Sequence, residues 1–190
     1  VVKKKPDRWN ILAAVLCVPC VVKPVDSGSS IGVSIAHTKE ELREALREGL
    51  SYGGRCVLEK YVKGREIQVG ILDGKALPPI EIIPHEGFYD YENKYQAGAA
   101  EEICPAPITH EQTEAVSRAT ERVFAALDLR VYSRADFILD EDGKFWFLEI
   151  NTLPGMTPTS LMPQEATVAG LNYSGLCQHI IDSSLRERSR

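Results

Sequence analysis

The sequence lacks long apolar runs, and this absence bears on where the protein works. Of its 190 residues 44% are hydrophobic, yet no stretch approaches the roughly 20 apolar residues that span a bilayer. The opening residues also lack the basic, apolar and small-residue order of a secretory signal peptide. We therefore expect a cytoplasmic globular protein without a membrane partner, long enough for one sizeable core or two packed lobes.

Clustered positive charge is also scarce. The 22 Lys and Arg are outnumbered by 27 Asp and Glu, for a formal net charge of -5, and the longest basic run is Lys3-Lys4-Lys5. Proteins that bind nucleic acids carry a basic patch or stripe. The composition therefore argues against a nucleic-acid partner.

The cysteines do not form a recognisable framework. There are five of them, scattered along the chain, which is typical of reduced thiols. Cys17 and Cys20 have CxxC spacing, but no second pair or nearby histidine accompanies them, so a redox or zinc site is only the minor alternative. Because the chain starts at Val1 and stays charged and irregular until Ile11, we expect a piece of a longer protein.

Periodicity and turn residues predict an α+β chain. Capping boxes at Thr38-x-x-Glu41 and Thr109-x-x-Gln112 mark the starts of two helices. Residues 84–105 follow neither period and are a candidate lid. We predict strands at 21–24 and 31–36, a helix at 39–49, a meander of strands at 56–62, 66–72 and 75–83, a helix from 110 with Val116, Ala119, Val123 and Leu127 on one face, a hairpin of 131–140 with 144–151, irregular structure around Pro154, Gly155, Pro158 and Pro163, and a helix from Tyr173 to about Leu185.

The hairpin carries the clearest chemical pattern. If Asp142-Gly143 is a two-residue turn, Asp136 lies opposite Glu149 and Arg134 lies opposite Asn151. These four polar groups then share one face of the sheet. The opposite face, which we predict to be the core side, consists of Ala135, Phe137, Leu139, Trp146, Leu148 and Ile150.

Two carboxylates at opposite positions repel each other, which indicates a cation between them. Asp136, Glu149 and Asn151 offer only oxygen ligands, and these favour magnesium. A solvated charged face is the alternative that the hairpin alone leaves open.

A second pattern indicates anion binding. Lys23 ends an apolar strand and precedes a turn, residues 26–30, whose Gly and Ser residues let backbone N–H groups approach a phosphate. An ordinary turn is the alternative. Glu59 and Glu66 flank a strand boundary that is suited to a purine and a ribose, although surface acids would show the same pattern.

Five motifs in one order resemble those of D-alanine:D-alanine ligases, members of the ATP-grasp family, over nearly the whole chain from about residue 18. They are VVKPVDSGSSIGVS (21–34), LEKYVKGREIQVG (58–70), FYDYENKYQAG (88–98), YSRADF (132–137) and LEINTLPGMTPTSLMP (148–163). The resemblance implies an α+β ATP-grasp fold whose two lobes, residues 1–84 and 85–190, hold ATP between antiparallel sheets. It also implies ATP-dependent joining of two D-alanines through an acylphosphate, for peptidoglycan synthesis, the cell wall and cell shape.

The resemblance assigns nucleotide and metal contacts to particular residues. For ATP they are Lys23 on the α- and β-phosphates, Glu59, Lys60 and Val62 around adenine, Glu66 on ribose and Lys94 on the γ-phosphate. For two magnesium ions, with manganese as a substitute, they are Asp136, Glu149 and Asn151.

It also assigns residues to catalysis and to the second D-alanine. Ser29, Lys94 and Tyr95 would close the active site, and Arg134 with the backbone of Gly155 would stabilise the oxyanion of a tetrahedral intermediate. Ser160 and Leu161 would receive the carboxylate of the second D-alanine, with Tyr95 nearby.

The resemblance is incomplete at the front. Family members carry an N-terminal domain with an acidic residue near the first D-alanine and a further lysine on the phosphates, and residues 1–16 match neither. We therefore interpret the chain as the catalytic portion of a homodimeric ligase, with activity of its own in question. The alternatives are an ATP- and magnesium-binding module without catalysis, and a ligase that uses D-lactate or D-serine. The loop with Tyr89, Lys94 and Tyr95 favours D-alanine, since D-lactate-using relatives place a histidine near the second subsite.

Overall fold

The computed structural model describes residues 2–3, 18–28, 30–84 and 100–189. Its elements are β1 (Val2–Lys3), β2 (Cys20–Pro24), β3 (Ser34–Ala36), α1 (Lys39–Gly49), a 3-10 turn (Leu50–Tyr52), β4 (Arg55–Lys60), β5 (Gly64–Leu72), β6 (Lys75–Ala76), β7 (Ile80–Pro84), β8 (Ala100–Ile103), α2 (His110–Ala126), β9 (Tyr132–Asp140), β10 (Phe145–Asn151), α3 (Leu161–Val168) and α4 (Tyr173–Arg188). This order confirms the α+β class. Among these described helices, none is long and apolar enough to cross a membrane.

The first sheet has the strand order β1-β4-β2-β3 and is packed against α1. The predicted start of α1 is confirmed, because the Thr38 side chain accepts a hydrogen bond from Glu41 N at 3.2 Å. Apolar residues at helical spacing then face the sheet and form a core. This core contains Leu42, Ala45, Leu46, Leu50, Cys20, Val22, Ala36 and Cys56.

The predicted meander is wrong at its first strand. β4 pairs with β2 in the first sheet, whereas β5 pairs with β9 along its whole length in the second. Gly64, which we expected in a turn, is the first residue of β5, and a Cβ there would collide with the backbone of Leu139. The glycine therefore allows two strands to approach closely, and it does not mark a hairpin.

The predicted strand at 75–83 is divided into β6 and β7, which both pair with β5. Pro78 and Pro79 lie in the interruption. Since proline has no N–H to donate, it cannot continue a ladder that is paired on that side. Leu77 N donates to Gly70 O at 2.8 Å just before the prolines.

The second sheet has the main order β10-β9-β5-β7-β8. Helix α2 begins with the predicted capping box, in which Thr109 and Gln112 each accept from the other's backbone N–H. The face of α2 that points inward includes Val116, Thr120 and Phe124. Leu127, which we placed on that face, is 56% exposed, because it is the C-cap residue and lies beyond the last helical turn.

Helix α3 occupies part of the segment that we expected to be irregular. Pro163 is the third residue of α3, a position where a backbone N–H has no partner in the helix, so proline is tolerated. Helix α4 starts at Tyr173 as predicted and extends to Arg188. The two helices share a core with Leu72 and Leu77 that includes Met162, Ala166 and Leu176.

The chain divides into two compact units, Val1–Val62 with Pro84–Ala100, and Lys63–Ile83 with Glu101–Arg190. This boundary differs from the predicted one at 84/85, because β5 and β7 belong to the sheet that contains β9. Within the predicted lid, residues 100–103 form β8. Residues 85–99 lie outside the described part of the chain.

Candidate active site

The hairpin of β9 and β10 carries the predicted metal ligands. Asp136 pairs with Glu149, and Arg134 pairs with Asn151, in an antiparallel ladder. Side chains at directly opposite positions project from the same face of a sheet. Both predicted pairs are confirmed, and their four polar groups share one face.

The turn of this hairpin is longer than predicted. Asp140 N donates to Lys144 O at 3.0 Å, so the turn spans residues 141–143. Next to the turn, Phe145 lies opposite Leu139. The register there is displaced by one residue from the predicted one.

A β-bulge at Leu148 restores the predicted register. Phe147 pairs with Phe137, whereas Glu149 pairs with Asp136, and Leu148 has no partner in the ladder. The longer turn and the bulge displace the register in opposite senses. The pairing of Asp136 with Glu149 therefore depends on both irregularities.

The bulge also changes which side chains face the core. The four predicted residues that do pack there are Ala135, Phe137, Leu139 and Ile150. Trp146 instead lies opposite Ile138 on the polar face, where its Nε1 donates to Asp140 Oδ2 at 2.7 Å. Leu148 is 39% exposed. The predictions that Trp146 and Leu148 face the core are therefore wrong. Between the turn and the bulge, each side chain of β10 projects from the face opposite to the one that a two-residue turn would give it.

Strand β5 extends the polar face. Gln68 pairs with Asp136, and Glu66 pairs with Ile138. Ile67 and Val69, on either side of Gln68 along the strand, pack in the core on the opposite face. Glu66, the predicted ribose contact, therefore lies on the face that carries Asp136, and so does Gln68, which we had not predicted as a site residue.

Arg134 and Asp136 form a bidentate ion pair. Arg134 Nε donates to Asp136 Oδ1 at 2.8 Å, and Arg134 Nη2 donates to Asp136 Oδ2 at 3.0 Å. The two side chains are only 15% and 9% exposed. A cation that binds Asp136 would therefore share this carboxylate with a guanidinium group that was predicted to act on the oxyanion.

The oxygen donors on this face fit a magnesium ion. Asp136 and Glu149 supply carboxylates, and Asn151 supplies an amide oxygen that also accepts from Leu153 N at 3.2 Å. Magnesium prefers such oxygen ligands and keeps several waters. The donor set thus consists of two carboxylates and one amide, and over the described ranges no group of three or more His, Cys, Asp and Glu residues could hold a metal ion.

Glu165 on α3 is a buried carboxyl that sequence analysis missed. It is 0% exposed, and both of its oxygens accept from Gly70 N at 3.0 Å. Gly70 lies opposite Arg134 in the ladder, and a Cβ on Gly70 would collide with the Glu165 carboxylate. Glu165 therefore fills the place of the side chain that Gly70 lacks, beside Arg134.

The surroundings of Glu165 shift its ionisation. Burial raises the pKa of this carboxyl well above its usual value, while the Gly70 N–H and the charge of Arg134 oppose that increase and the charge of Asp136 adds to it. A sequence signal existed, since Glu165 follows Leu161 at the spacing of one helix face. The prolines of this segment, which predict irregular structure, conflict with that signal.

Gly155, Ser160 and Leu161 lie around the start of α3. The Ser160 Oγ accepts from Thr157 N at 3.0 Å, and a Cβ on Gly155 would lie 3.0 Å from the same Oγ. Leu161 is 7% exposed and its side chain is part of the interior. Its polar contribution is therefore limited to the backbone at a helix N-terminus, which favours a carboxylate.

In the first unit, Lys23 and Glu59 form an ion pair with 2.6 Å between Nζ and Oε2. Lys23 is opposite Val57, and Glu59 is opposite Val21, so both side chains project from one face of the sheet. The predicted phosphate and adenine contacts are therefore direct neighbours. A phosphate that binds Lys23 would compete with Glu59 for its ammonium group.

The two other predicted adenine contacts lie elsewhere on β4 and after it. Lys60 ends β4 opposite Cys20, which places its exposed side chain on the other face of the sheet from Glu59. Val62 follows the strand and is half-buried. Among these residues, only Glu59 is beside Lys23.

The Gly/Ser turn joins β2 to β3. Ile31 N donates to Gly28 O at 3.0 Å, and a Cβ on Gly28 would meet no atom within 4 Å. Packing among the described residues therefore does not explain this glycine. Ser29, together with Tyr89, Lys94 and Tyr95 of the predicted lid, lies outside the described residues.

An α+β fold whose second sheet carries opposed carboxylates beside a partly buried arginine is the arrangement expected of an ATP-grasp ligase. The family model for the D-ala D-ala ligase C-terminus matches residues 2–182. The chain belongs to this family.

Individual relatives agree with this assignment. A D-alanine--D-alanine ligase from Methylacidiphilum infernorum is 47% identical over 166 residues, which are 87% of this chain and 55% of the relative. The crystal structure of the D-alanine--D-alanine ligase from Bacillus anthracis complexed with ATP is 38% identical, with a TM-score of 0.78 over 99% of this chain and 60% of that one. The VanG D-Ala:D-Ser ligase from Enterococcus faecalis is 27% identical, with a TM-score of 0.83 over 95% and 54%.

These matches confirm the ligase fold that the motifs implied. The chain spans about half the length of the curated relatives that it matches, 55% in the case of the Methylacidiphilum infernorum ligase.

Proposed function

We propose that the protein to which this chain belongs is an ATP-dependent ligase that joins two D-alanines to D-alanyl-D-alanine for peptidoglycan synthesis in the cytoplasm. The observation that carries the proposal is the pairing of Asp136 with Glu149, with Asn151 two positions further along β10. Opposed carboxylates destabilise a ladder. Arg134 offsets the charge of Asp136, and a bound cation would offset the charge of Glu149 as well.

In the first step, a carboxylate oxygen of one D-alanine attacks the γ-phosphorus of ATP, and ADP leaves. Asp136, Glu149 and Asn151 would hold magnesium, which neutralises phosphate charge when it is bound. Two ions, or manganese in their place, suit the same oxygen donors. Lys23 would contact the α- and β-phosphates, and Glu66 would bind the ribose.

In the second step, the amine of the other D-alanine attacks the acylphosphate carbon, phosphate leaves and the amine loses a proton. Arg134 and the Gly155 backbone would stabilise the oxyanion of the tetrahedral intermediate. Ser160 and the backbone of Leu161 would bind the carboxylate of the nucleophile, supported by the N-terminus of α3.

The remaining assignments rest on sequence resemblance. Glu59, Lys60 and Val62 would line the adenine pocket, with Lys60 contributing through its backbone because its side chain lies on the opposite face from Glu59. Lys94, on the γ-phosphate, would join Ser29 and Tyr95 in excluding water, which an acylphosphate intermediate requires. The part of the relatives that this chain does not match would supply the site for the first D-alanine, and the protein would act as a homodimer.

A second candidate is a ligase with a different nucleophile. The likeness to the D-Ala:D-Ser ligase favours D-serine as the alternative, and D-lactate is a further one. A third candidate is an ATP- and magnesium-binding module without catalysis, because the match covers only 55% of the length of the Methylacidiphilum infernorum ligase. Product analysis with D-alanine, D-serine and D-lactate supplied together separates the ligases, and phosphate release separates them from the module.

The metal assignment is tested with Glu149→Gln, which keeps the size of the side chain and removes its charge. We expect this change to abolish magnesium-dependent ATP binding, measured by equilibrium dialysis with magnesium and with chelator. Glu141→Gln is the matched control, since Glu141 lies in the turn of the same hairpin and its side chain is 75% exposed. Unchanged magnesium dependence in Glu149→Gln would refute the proposal.

A further inference from the structure

Gln68 is a buried polar residue whose burial the fold does not explain. It is 3% exposed, and its Oε1 atom is shielded from solvent without a hydrogen-bond partner. In the described part of the chain, Ser133 Oγ is the other such atom. Leaving a buried acceptor unsatisfied costs about 1–3 kcal/mol, so such an atom calls for an explanation such as a water or an ion.

The position of Gln68 suggests what supplies the missing partner. It lies opposite Asp136, which in turn lies opposite Glu149. The three side chains therefore form one row across β5, β9 and β10. Neighbouring Cβ atoms in such a row are about 5 Å apart, so the amide of Gln68 adjoins the carboxylate pair.

Packing alone would favour an apolar residue here. The position opposite Gln68 on β7 is Ile80, which is 0% exposed. Ile82, two positions along β7 from Ile80 and on the same face, is 2% exposed. A leucine or methionine would fill this place without an unsatisfied oxygen, which indicates that the amide serves a ligand.

We propose that Gln68 is a positioning residue of the magnesium site, with its Oε1 accepting a hydrogen bond from a water molecule bound to the ion. Magnesium keeps several of its waters in proteins, and each water has protons that need acceptors. Hydrogen-bond partners behind the ligands orient them and strengthen metal binding by about 10–100-fold. This inference rests on the proposed function, since it requires that Asp136 and Glu149 hold magnesium.

The test compares Gln68→Met with Ser133→Ala. Ser133 pairs with Ile71 and is 0% exposed, and alternation along β9 places it on the face opposite Asp136. Both changes thus remove an unsatisfied buried atom, but only one lies in the row. Magnesium affinity is measured by titration at constant ATP, and stability is measured by urea unfolding in chelator.

We expect Gln68→Met to be at least as stable as wild type in chelator and to bind magnesium about tenfold more weakly. Ser133→Ala should also keep its stability, with wild-type magnesium affinity. Gln68→Glu, which retains an acceptor oxygen, should bind magnesium at least as well as wild type. It also covers the case in which Gln68→Met fails to fold, because weakened binding in Gln68→Glu would contradict the inference.

Other results are equally decisive. Wild-type magnesium affinity in Gln68→Met would overturn the inference, and so would equal weakening in Ser133→Ala, because that would show a general effect of packing. Glu149→Gln distinguishes a failure of the magnesium assignment from a failure of the role proposed for Gln68. If it retains magnesium binding, the proposed function fails; if it loses binding while Gln68→Met does not, only the role of Gln68 fails.

Discussion

Arg134 holds Asp136 by two parallel hydrogen bonds of 2.8 and 3.0 Å along one strand. Both side chains are largely buried, at 15% and 9% exposure, so each charge depends on the other. Because Asp136 is also the central residue of the proposed magnesium site, the guanidinium and the metal ion are alternative or shared partners of one carboxylate. This relationship connects the stability of the fold to the binding of the cation.

Replacing Arg134 with Met should therefore destabilise the protein in chelator by about 3 kcal/mol, because it leaves the Asp136 carboxylate buried without a partner. Magnesium with ATP should recover part of this loss by supplying positive charge. Urea unfolding in chelator and in magnesium measures both quantities. Arg134→Lys is the control, because lysine keeps the positive charge but cannot make the two parallel hydrogen bonds of the guanidinium group. Its free energy of unfolding should fall by only about 1 kcal/mol. A loss in Arg134→Met that magnesium does not change would contradict the shared carboxylate.

Glu165 should make stability depend on pH. Its folded-state pKa is raised, so the folded protein holds this proton more tightly than the unfolded chain. The stabilisation is complete below the unfolded pKa of about 4.3 and is lost as pH rises through the folded value, by at most about 1.4 kcal/mol per pH unit. Glu165→Gln should remove this decline, as followed by urea unfolding between about pH 5 and about pH 8.

Gln at position 165 can still accept from Gly70 N, whereas Leu cannot. Glu165→Leu should therefore cost about 1–3 kcal/mol at low pH through the unsatisfied N–H. The assignment would be wrong if Glu165→Gln and wild type lost stability in parallel as the pH rose.

Arg65 and Glu81 form an ion pair whose acid is buried. Arg65 Nε and Nη2 donate to the two oxygens of Glu81 at 2.6 Å each, and the side chains are 42% and 5% exposed. Arg65→Met should cost about 2 kcal/mol, less than a fully buried pair because one partner reaches solvent. Arg43→Met, which breaks an exposed pair with Glu40 within α1, should cost about 0.3 kcal/mol. Equal losses in thermal or urea unfolding would contradict this difference.

Cys104 should resist alkylation in the folded protein. Burial, with a smaller contribution from the charge of Glu165, raises the pKa of its thiol to about 12, and the thiolate is the reactive form. Iodoacetamide at about pH 8 should therefore leave Cys104 unmodified in the native state and modify it after unfolding, as measured by peptide mass spectrometry. Reaction at the same rate in both states would show that the thiol is accessible and ionised.

Features that depend on neighbours in sequence could be predicted. Helix α1 occupies the predicted residues, and α2 has the predicted capping box, because a cap and an i, i+4 pattern are local properties. The five motifs indicated the family for the same reason, because each is a short stretch of sequence. Helix α3 was not predicted although its signal is also local, because a proline in the first turn of a helix, where Pro163 lies, has the same composition signal as one that ends a helix.

Strand pairing could not be predicted as well. Gly64 has the composition of a turn residue but lies in β5 against β9, since the partner that it must approach is more than 70 positions away. The Asp136–Glu149 pair was predicted correctly because a longer turn and a bulge compensate each other. Trp146 and Leu148 were not, since they lie on the segment between those two irregularities.

The sequence by itself determined the helix starts, the acidic hairpin and the family of this protein, because motif order and local periodicity do not depend on long-range contacts. Only the tertiary structure decided that Gln68 joins the row of Asp136 and Glu149, and that Glu165 lies behind Arg134. Both placements bring together groups that are far apart in the chain. Their burial and their charge environment arise only when the sheet and α3 are assembled.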